Sequence, residues 1–197
     1  SIAATDMLSK VLTENRAVLL KMNPVNDYLT PHFETAFKPL IEANVLRIVR
    51  GGSETGQQLI NHPIAQSIHI TGSNHTHDCI VWGHGDEAKK RKQKGSPLLK
   101  KTITSELGNV SPWAVMPGRY STAELRAQAE TIASSIINNA SFNCIATKLI
   151  VTSRQWSQKK QFLDLLDSIL AATPARYAYY PGAADRFNRF NGEPPAN

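Results

Sequence analysis

The 197-residue chain is 41% hydrophobic, enough to bury one good core, or one domain with an appended piece of another. Its two cysteines, Cys79 and Cys144, are too few for a disulfide framework, and no apolar run approaches the roughly 20 residues that cross a bilayer. The formal net charge of +6 would suggest nucleic acid or a membrane surface if spread over one face, but much of it falls in KKRKQKGSPLLKK, residues 89 to 101, so neither partner is expected.

From Ala17 the chain alternates short apolar runs with helical stretches: AVLLK, TPHFETAFKPLIEAN, VLRIVRGG, ETGQQLINH and SIHITGS. That alternation predicts βαβ units, hence an α/β fold with an open parallel sheet flanked by helices. The opening SIAATDMLSK lacks both the basic start and the apolar stretch of a secretory leader, and it does not begin with Met. A reducing, cytoplasmic setting is expected, for a chain that is a processed or cut piece. The first predicted helix opens at Thr30 with Pro31 in its first turn, where a missing N–H costs nothing. Phe33, Phe37, Leu40 and Ile41 share one face, and Pro39 should bend or shorten the helix.

The basic segment 89 to 101, with Gly95, Ser96 and Pro97 and no aromatic on which a base could stack, reads as a solvated surface loop. Two strand-like runs follow, KTITSEL and SPWAVM. STAELRAQAETIASSIINN is the clearest helix, with Ser121 and Glu124 spaced for a capping box and Leu125, Ala129, Ile132 and Ile136 at helical intervals. ATKLIVTS reads as a strand and SQKKQFLDLLDSIL as an amphipathic helix with Phe162, Leu166 and Ile169 inward. The tail from Ala171, with Pro174, Pro181, Pro194 and Pro195, shows no strong pattern, and there is no internal repeat.

Cys144 lies in NNASFNCIAT, among Asn, Ser and Thr rather than within an apolar run. A cysteine so placed sits near water and can ionise, which makes it the candidate nucleophile. Glu106 ends the run TITSE at the carboxyl edge of a predicted parallel sheet, where ligand crevices form and a carboxylate can act as a general base. Glycine-bearing turns follow three predicted strands: RGGSETG, TGSNHTHD and ELGNVSP. A strand that turns into a helix N-terminus offers free N–H groups and partial positive charge to a phosphate, so the first two turns could hold a dinucleotide. His75 and His77 lie two apart on a predicted helix and point in different directions, so they are read as solvent-facing residues and no metal is expected. Cys79, within DCIVW, reads as an inert packing residue.

TGS, ELGNVSP and NNASFNCIA, in this order, resemble the aldehyde dehydrogenase superfamily pattern TGS, ELGGKSP, N-x-G-Q-x-C. VLLKMNPVN resembles the family strand that ends in a cofactor-contacting lysine, and GGSETG its G-x-x-x-G turn. The resemblance implies a Rossmann-like fold of the aldehyde dehydrogenase type, with NAD or NADP as cofactor and a small-molecule aldehyde as substrate. It assigns Cys144 as the nucleophile that forms a thioester and Glu106 as the general base. Lys21, Gly52, Gly56, Thr71, Gly72, Ser73, Leu107 and Gly108 would contact the cofactor. It further implies that residues 1 to 110 are part of an NAD(P)-binding domain, that 111 to 197 begin the catalytic domain, and that the complete protein is a homo-oligomer.

Departures from the pattern are specific. Ser141 and Phe142 stand where the family has glycine and glutamine, Asn109 where it has a second glycine, and Pro24 where it has a ribose-binding glutamate. The lost carboxylate keeps NADP open beside NAD. Release of the acyl group to coenzyme A, or a non-catalytic nucleotide-binding or interaction module, are the alternatives to hydrolysis. The family's oxyanion-holding asparagine upstream and its nicotinamide-ribose carboxylate downstream have no counterpart here, so this chain alone is expected not to turn over aldehyde.

Overall fold

The structure, a computed structural model, describes residues 2–192. Among the described residues, six short strands pair in parallel as three two-stranded ladders. β1 (Val18–Lys21) runs beside β2 (Leu46–Val49), β3 (Ser67–Thr71) beside β4 (Thr102–Glu106), and β5 (Pro112–Val115) beside β6 (Leu149–Thr152). Parallel neighbours need long crossovers, and helices fill them as the alternating pattern predicted. α1 (Ile2–Leu8) precedes β1; α2 (Thr30–Ala36) and α3 (Lys38–Glu42) join β1 to β2; α4 (Ser53–Asn61) leads from β2 to β3. α5 (Asn74–Trp82) and α6 (Gly85–Gln93) join β3 to β4, and α7 (Thr122–Ile136) joins β5 to β6. α8 (Lys159–Ala172) and α9 (Ala183–Phe190) follow. This is a helix-flanked, parallel-stranded α/β fold, divided into two compact units, Ser1–Leu107 and Gly108–Asn197.

In the first unit Met7, Met22, Leu46 and Val81 are buried. A 3₁₀ turn, Pro24–Leu29, runs directly into Thr30, whose hydroxyl donates to the Asp27 carbonyl at 2.6 Å. Pro39 does interrupt the helix: α2 stops at Ala36, Phe37 leaves helical geometry, and α3 restarts at Lys38. Phe33 and Phe37 stay in edge contact across the break, with ring centroids 5.7 Å apart.

The reading of the basic segment as a loop holds for residues 94 to 101 and is corrected for 89 to 93, which form the last turns of α6. Lysine, arginine and glutamine are good helix formers. Asp86 and Glu87 sit in the first turn and Lys90, Arg91 and Lys92 in the last, which suits the helix dipole. Lys89 pairs with Asp86 at 2.9 Å, Lys90 with Glu87 at 2.7 Å, and Lys92 reaches Asp78 at 2.7 Å. The helix has no apolar stripe, so hydrophobic periodicity could not reveal it.

The second unit holds the larger core. Leu125, Ala129, Ile132 and Ala133 of α7 pack with Trp156 and with Phe162 and Leu166 of α8, over Trp113, Val115 and Ile150 of the β5–β6 ladder. Trp156 fits there because its indole N–H finds the Gly118 carbonyl at 2.8 Å. Ile136 and Ile169 pack at the margin. The capping box forms as spaced: the Ser121 hydroxyl accepts from the Glu124 N–H, and the Glu124 carboxylate accepts from the Ser121 N–H at 2.8 Å.

Ser121→Ala should therefore destabilise this unit by about 0.5–2 kcal/mol, read as a lower melting temperature. The Ser121 backbone N–H, followed by its hydroxyl, holds the Glu124 carboxyl below the ordinary carboxylate range. A folded value below the unfolded one stabilises at higher pH, so the contribution is lost as pH falls through the lowered value. The gap between wild type and Ser121→Ala should narrow on acidification; a gap independent of pH would contradict the capping account.

The tail is not patternless. α9 follows Gly182, whose φ of 74° turns the chain out of the Pro181 segment. Ala183, Ala184, Phe187 and Phe190 recur at helical spacing in its sequence, which corrects the reading of the tail, and Phe187 and Phe190 are 66% and 93% exposed. Pro194 and Pro195 lie outside the described residues.

Candidate active site

β2 ends at Val49 and the chain turns through Gly51 and Gly52 into α4. Gly51 has a φ of 143°, and a side chain there would start 2.2 Å from the Thr55 hydroxyl, so glycine is required. Gly52 is the N-cap of α4 with no side-chain cap. The first N–H groups of α4 are thus open to an external acceptor. Lys21, at the end of the neighbouring β1, reaches over this turn and donates to the Gly51 carbonyl at 2.7 Å and the Met22 carbonyl at 3.0 Å. A Cβ on Gly56 would sit 3.5 Å from Lys21 Cε, ordinary van der Waals contact. Lys21, Gly52 and Gly56 therefore meet at one sheet edge, and Gly51, which the sequence pattern did not single out, anchors the lysine. Burial lowers the Lys21 pKa below that of an ordinary lysine.

The second turn is built differently. Thr71 and Glu106 are register partners at the ends of β3 and β4, and the Gly72 N–H donates to the Glu106 carbonyl at 3.0 Å. The Glu106 carboxylate is exposed at the carboxyl edge of its parallel pair, as the run TITSE suggested. Ser73 caps α5 by accepting from the Thr76 N–H at 3.0 Å. Its oxygen is already engaged, unlike the open turn at Gly52. The Thr71 hydroxyl donates to Asp6 at 2.6 Å, an N-terminal partner that no motif announced. Leu107 is half-buried, and Gly108 opens the second unit.

On α5 His75 is exposed, but His77 is half-buried with Nδ1 3.4 Å from Asp78, which departs from the solvent-facing reading. Cys79 is half-buried, one turn from His75, with its sulfur 3.7 Å from the imidazole Nε2.

In the second unit Cys144 is half-buried. α7 ends at Ile136, and Asn139, Ala140 and Ser141 then take φ values of 51°, 52° and 63°. Three consecutive non-glycine residues in the left-handed region cost roughly 1–2 kcal/mol each, and such geometry persists only where the surroundings impose it. Here they do. The Asn143 side chain donates to Asn138 Oδ1 at 3.1 Å and accepts from the Ile145 N–H at 3.1 Å. The Ser111 hydroxyl donates to the Cys144 carbonyl at 2.7 Å. The Lys148 ammonium donates to the carbonyls of Ala146, at 2.6 Å, and Asn143, at 3.3 Å. Burial lowers the Lys148 pKa, and the charge of the nearby Cys144 works against that shift. The thiol itself faces Asn143 Oδ1 at 3.6 Å. Cys144 is thus a half-buried cysteine on a main chain fixed from both sides, with a cation four residues on. Ser111 and Lys148 were not identifiable beforehand, because their partners are main-chain carbonyls.

Comparison with known proteins adds the lineage. The chain is 24% identical over 141 residues to aldehyde dehydrogenase LUC3 of Fusarium sp, covering 72% of this chain and 27% of that protein. Among solved structures, gamma-glutamyl-gamma-aminobutyraldehyde dehydrogenase from Burkholderia cenocepacia J2315 aligns with a TM-score of 0.63 and 26% identity, over 84% of this chain and 30% of its own. Indole-3-acetaldehyde dehydrogenase, solved with NAD+, aligns with a TM-score of 0.65 and 24% identity, over 85% and 31%. The chain spans less than a third of the length of each of these relatives. The family model described as aldehyde dehydrogenase matches residues 2–174, nearly the whole of the described chain, and on that match this chain belongs to the aldehyde dehydrogenase family.

Proposed function

We propose that the protein carrying this chain oxidises an aldehyde to the acid with NAD or NADP, through a thioester on Cys144. The observation that supports this most is the fixed loop around Cys144, strained and held by main-chain bonds, in a chain of this family. Rigid positioning is worth most for a nucleophile that must meet a carbonyl within a few tenths of an ångström. In this reading the Cys144 thiolate adds to the aldehyde carbon, Lys148 lends positive charge beside it, and Glu106 removes a proton from the water that later attacks the thioester. The first unit would hold the cofactor, its phosphates at the open N-terminus of α4 and its ribose near Lys21, which still has a donor to spare. When bound, the cofactor supplies the hydride acceptor.

The direct test of the function is to mix the complete protein with an aldehyde panel plus NAD or NADP and follow absorbance of the reduced cofactor. Turnover that yields the free acid supports the reading; an acyl-CoA product formed only with added coenzyme A would replace hydrolysis by acyl transfer, and no turnover with any aldehyde would overturn it. Lys21→Met should weaken cofactor binding by roughly 10-fold or more, the worth of a hydrogen bond from a charged donor. Binding to wild type should fall as pH rises, and should do so below the range in which an ordinary lysine titrates. Unchanged calorimetric affinity in Lys21→Met would remove Lys21 from the cofactor site.

A further inference from the structure

The three left-handed residues before Cys144 are held on one side by a segment that the family match does not include. That match ends at residue 174, yet Tyr179 and Tyr180 pack onto Phe142, with ring centroids 5.4 Å and 5.0 Å away. The two tyrosine rings also pack on each other at 5.0 Å. The Tyr179 hydroxyl donates to Asn139 Oδ1 at 3.0 Å, gripping the first left-handed residue. Arg186, from α9, stands over the Phe142 ring with its guanidinium carbon 5.8 Å from the centroid. Phe142, two positions before the nucleophile, is one of the residues that depart from the family pattern, whereas Tyr177, two residues before Tyr179, is 86% exposed.

We infer that Tyr179 and Tyr180 are positioning residues for catalysis: with Phe142 and Arg186 they form an aromatic clasp that holds the Asn139–Ser141 turn and so sets where the Cys144 sulfur points. This rests on the reading of Cys144 as the nucleophile. The physical reason is local. Alanine and serine do not favour the left-handed region, so the turn relaxes toward ordinary geometry unless something outside it opposes that. Aromatic packing on Phe142 fixes the turn's C-terminal side, and the hydrogen bond to Asn139 fixes its N-terminal side. A residue that only positions the nucleophile changes the rate at which bound substrate reacts and leaves substrate affinity alone.

The test compares wild type, the Tyr179→Leu/Tyr180→Leu double variant and the ring-conserving Tyr179→Phe/Tyr180→Phe variant of the complete protein. Leucine at both positions should lower kcat by about 10-fold with KM changed less than about 2-fold, and should speed amide hydrogen exchange across residues 138 to 146 by a similar factor while exchange in α8 stays as in wild type. The double phenylalanine variant keeps the rings but loses the hydroxyl bond to Asn139, so its kcat and loop exchange should fall between those of the leucine variant and wild type. Unchanged exchange in the loop overturns the clasp, as does faster exchange with kcat unchanged, or a loss expressed in KM alone. If Cys144→Ser turns over as fast as wild type, the nucleophile reading fails instead, and the exchange measurement still decides whether the clasp holds the loop.

Discussion

Cys144→Ser should abolish steady aldehyde oxidation in the complete protein, by roughly 10⁴–10⁶-fold, the scale on which removing a covalent nucleophile or its orienting partner acts. The size follows from the chemistry. A thiolate is available near neutral pH and is intrinsically a strong nucleophile, whereas a serine hydroxyl with no adjacent base is not. Serine is slightly smaller and polar, and the loop's bonds run from Ser111 to the Cys144 carbonyl and from Lys148 to the carbonyls of Asn143 and Ala146. The substitution leaves all of them in place, so the loss would not come from unfolding. Thermal melting of the variant should match wild type, and cofactor affinity should be unaltered. A Cys79→Ser variant serves as the control and should keep its turnover.

Glu106→Gln should separate the two halves of the reaction. An ionised thiolate needs no base to attack the aldehyde, but water attacking a thioester does, so the variant should still give a burst of reduced cofactor while steady turnover falls by roughly 10²–10⁴-fold. Glu106 suits such a role because its strand holds it at an edge. Its carbonyl accepts from the Gly72 N–H and its backbone pairs with Thr71, while the carboxylate remains exposed and takes part in no structural ion pair among the described residues. Replacing it should cost little stability. A steady rate equal to wild type would remove Glu106 from the mechanism, and a burst lost together with the steady rate would move it to the first step.

The parts of this arrangement legible in the sequence are those with a local physical signal. Ser121 and Glu124 announce α7 because a capping box is a four-residue device followed by a helical stripe. The ends of β1, β2, β3 and β4 were readable because short apolar runs stop at Lys21, at the glycines after Val49 and at Glu106. Cys144 stood out by the polarity of its neighbours. What escaped has its partners far away or no apolar face. α6 is polar all round. The exception is α9, which does carry an apolar stripe, Ala183, Ala184, Phe187 and Phe190, but is only eight residues long among prolines, too short to stand out. The left-handed turn could not be foreseen, because Asn139, Ala140 and Ser141 include no glycine and their geometry is imposed from elsewhere. Part of that imposition comes from Tyr179, 40 residues on from Asn139. Asp6, which accepts a hydrogen bond from the Thr71 hydroxyl, lies 65 residues upstream and carries no motif.

The central claim is that Cys144 bears the acyl group, and trapping that species tests it most directly. The Glu106→Gln variant of the complete protein, given aldehyde and NAD or NADP and quenched in acid within the first turnover, should show intact mass increased by the aldehyde less two hydrogens, with the modification on the peptide that contains Cys144. An adduct on the peptide containing Cys79, or cofactor reduced with no adduct on Cys144, would contradict the account.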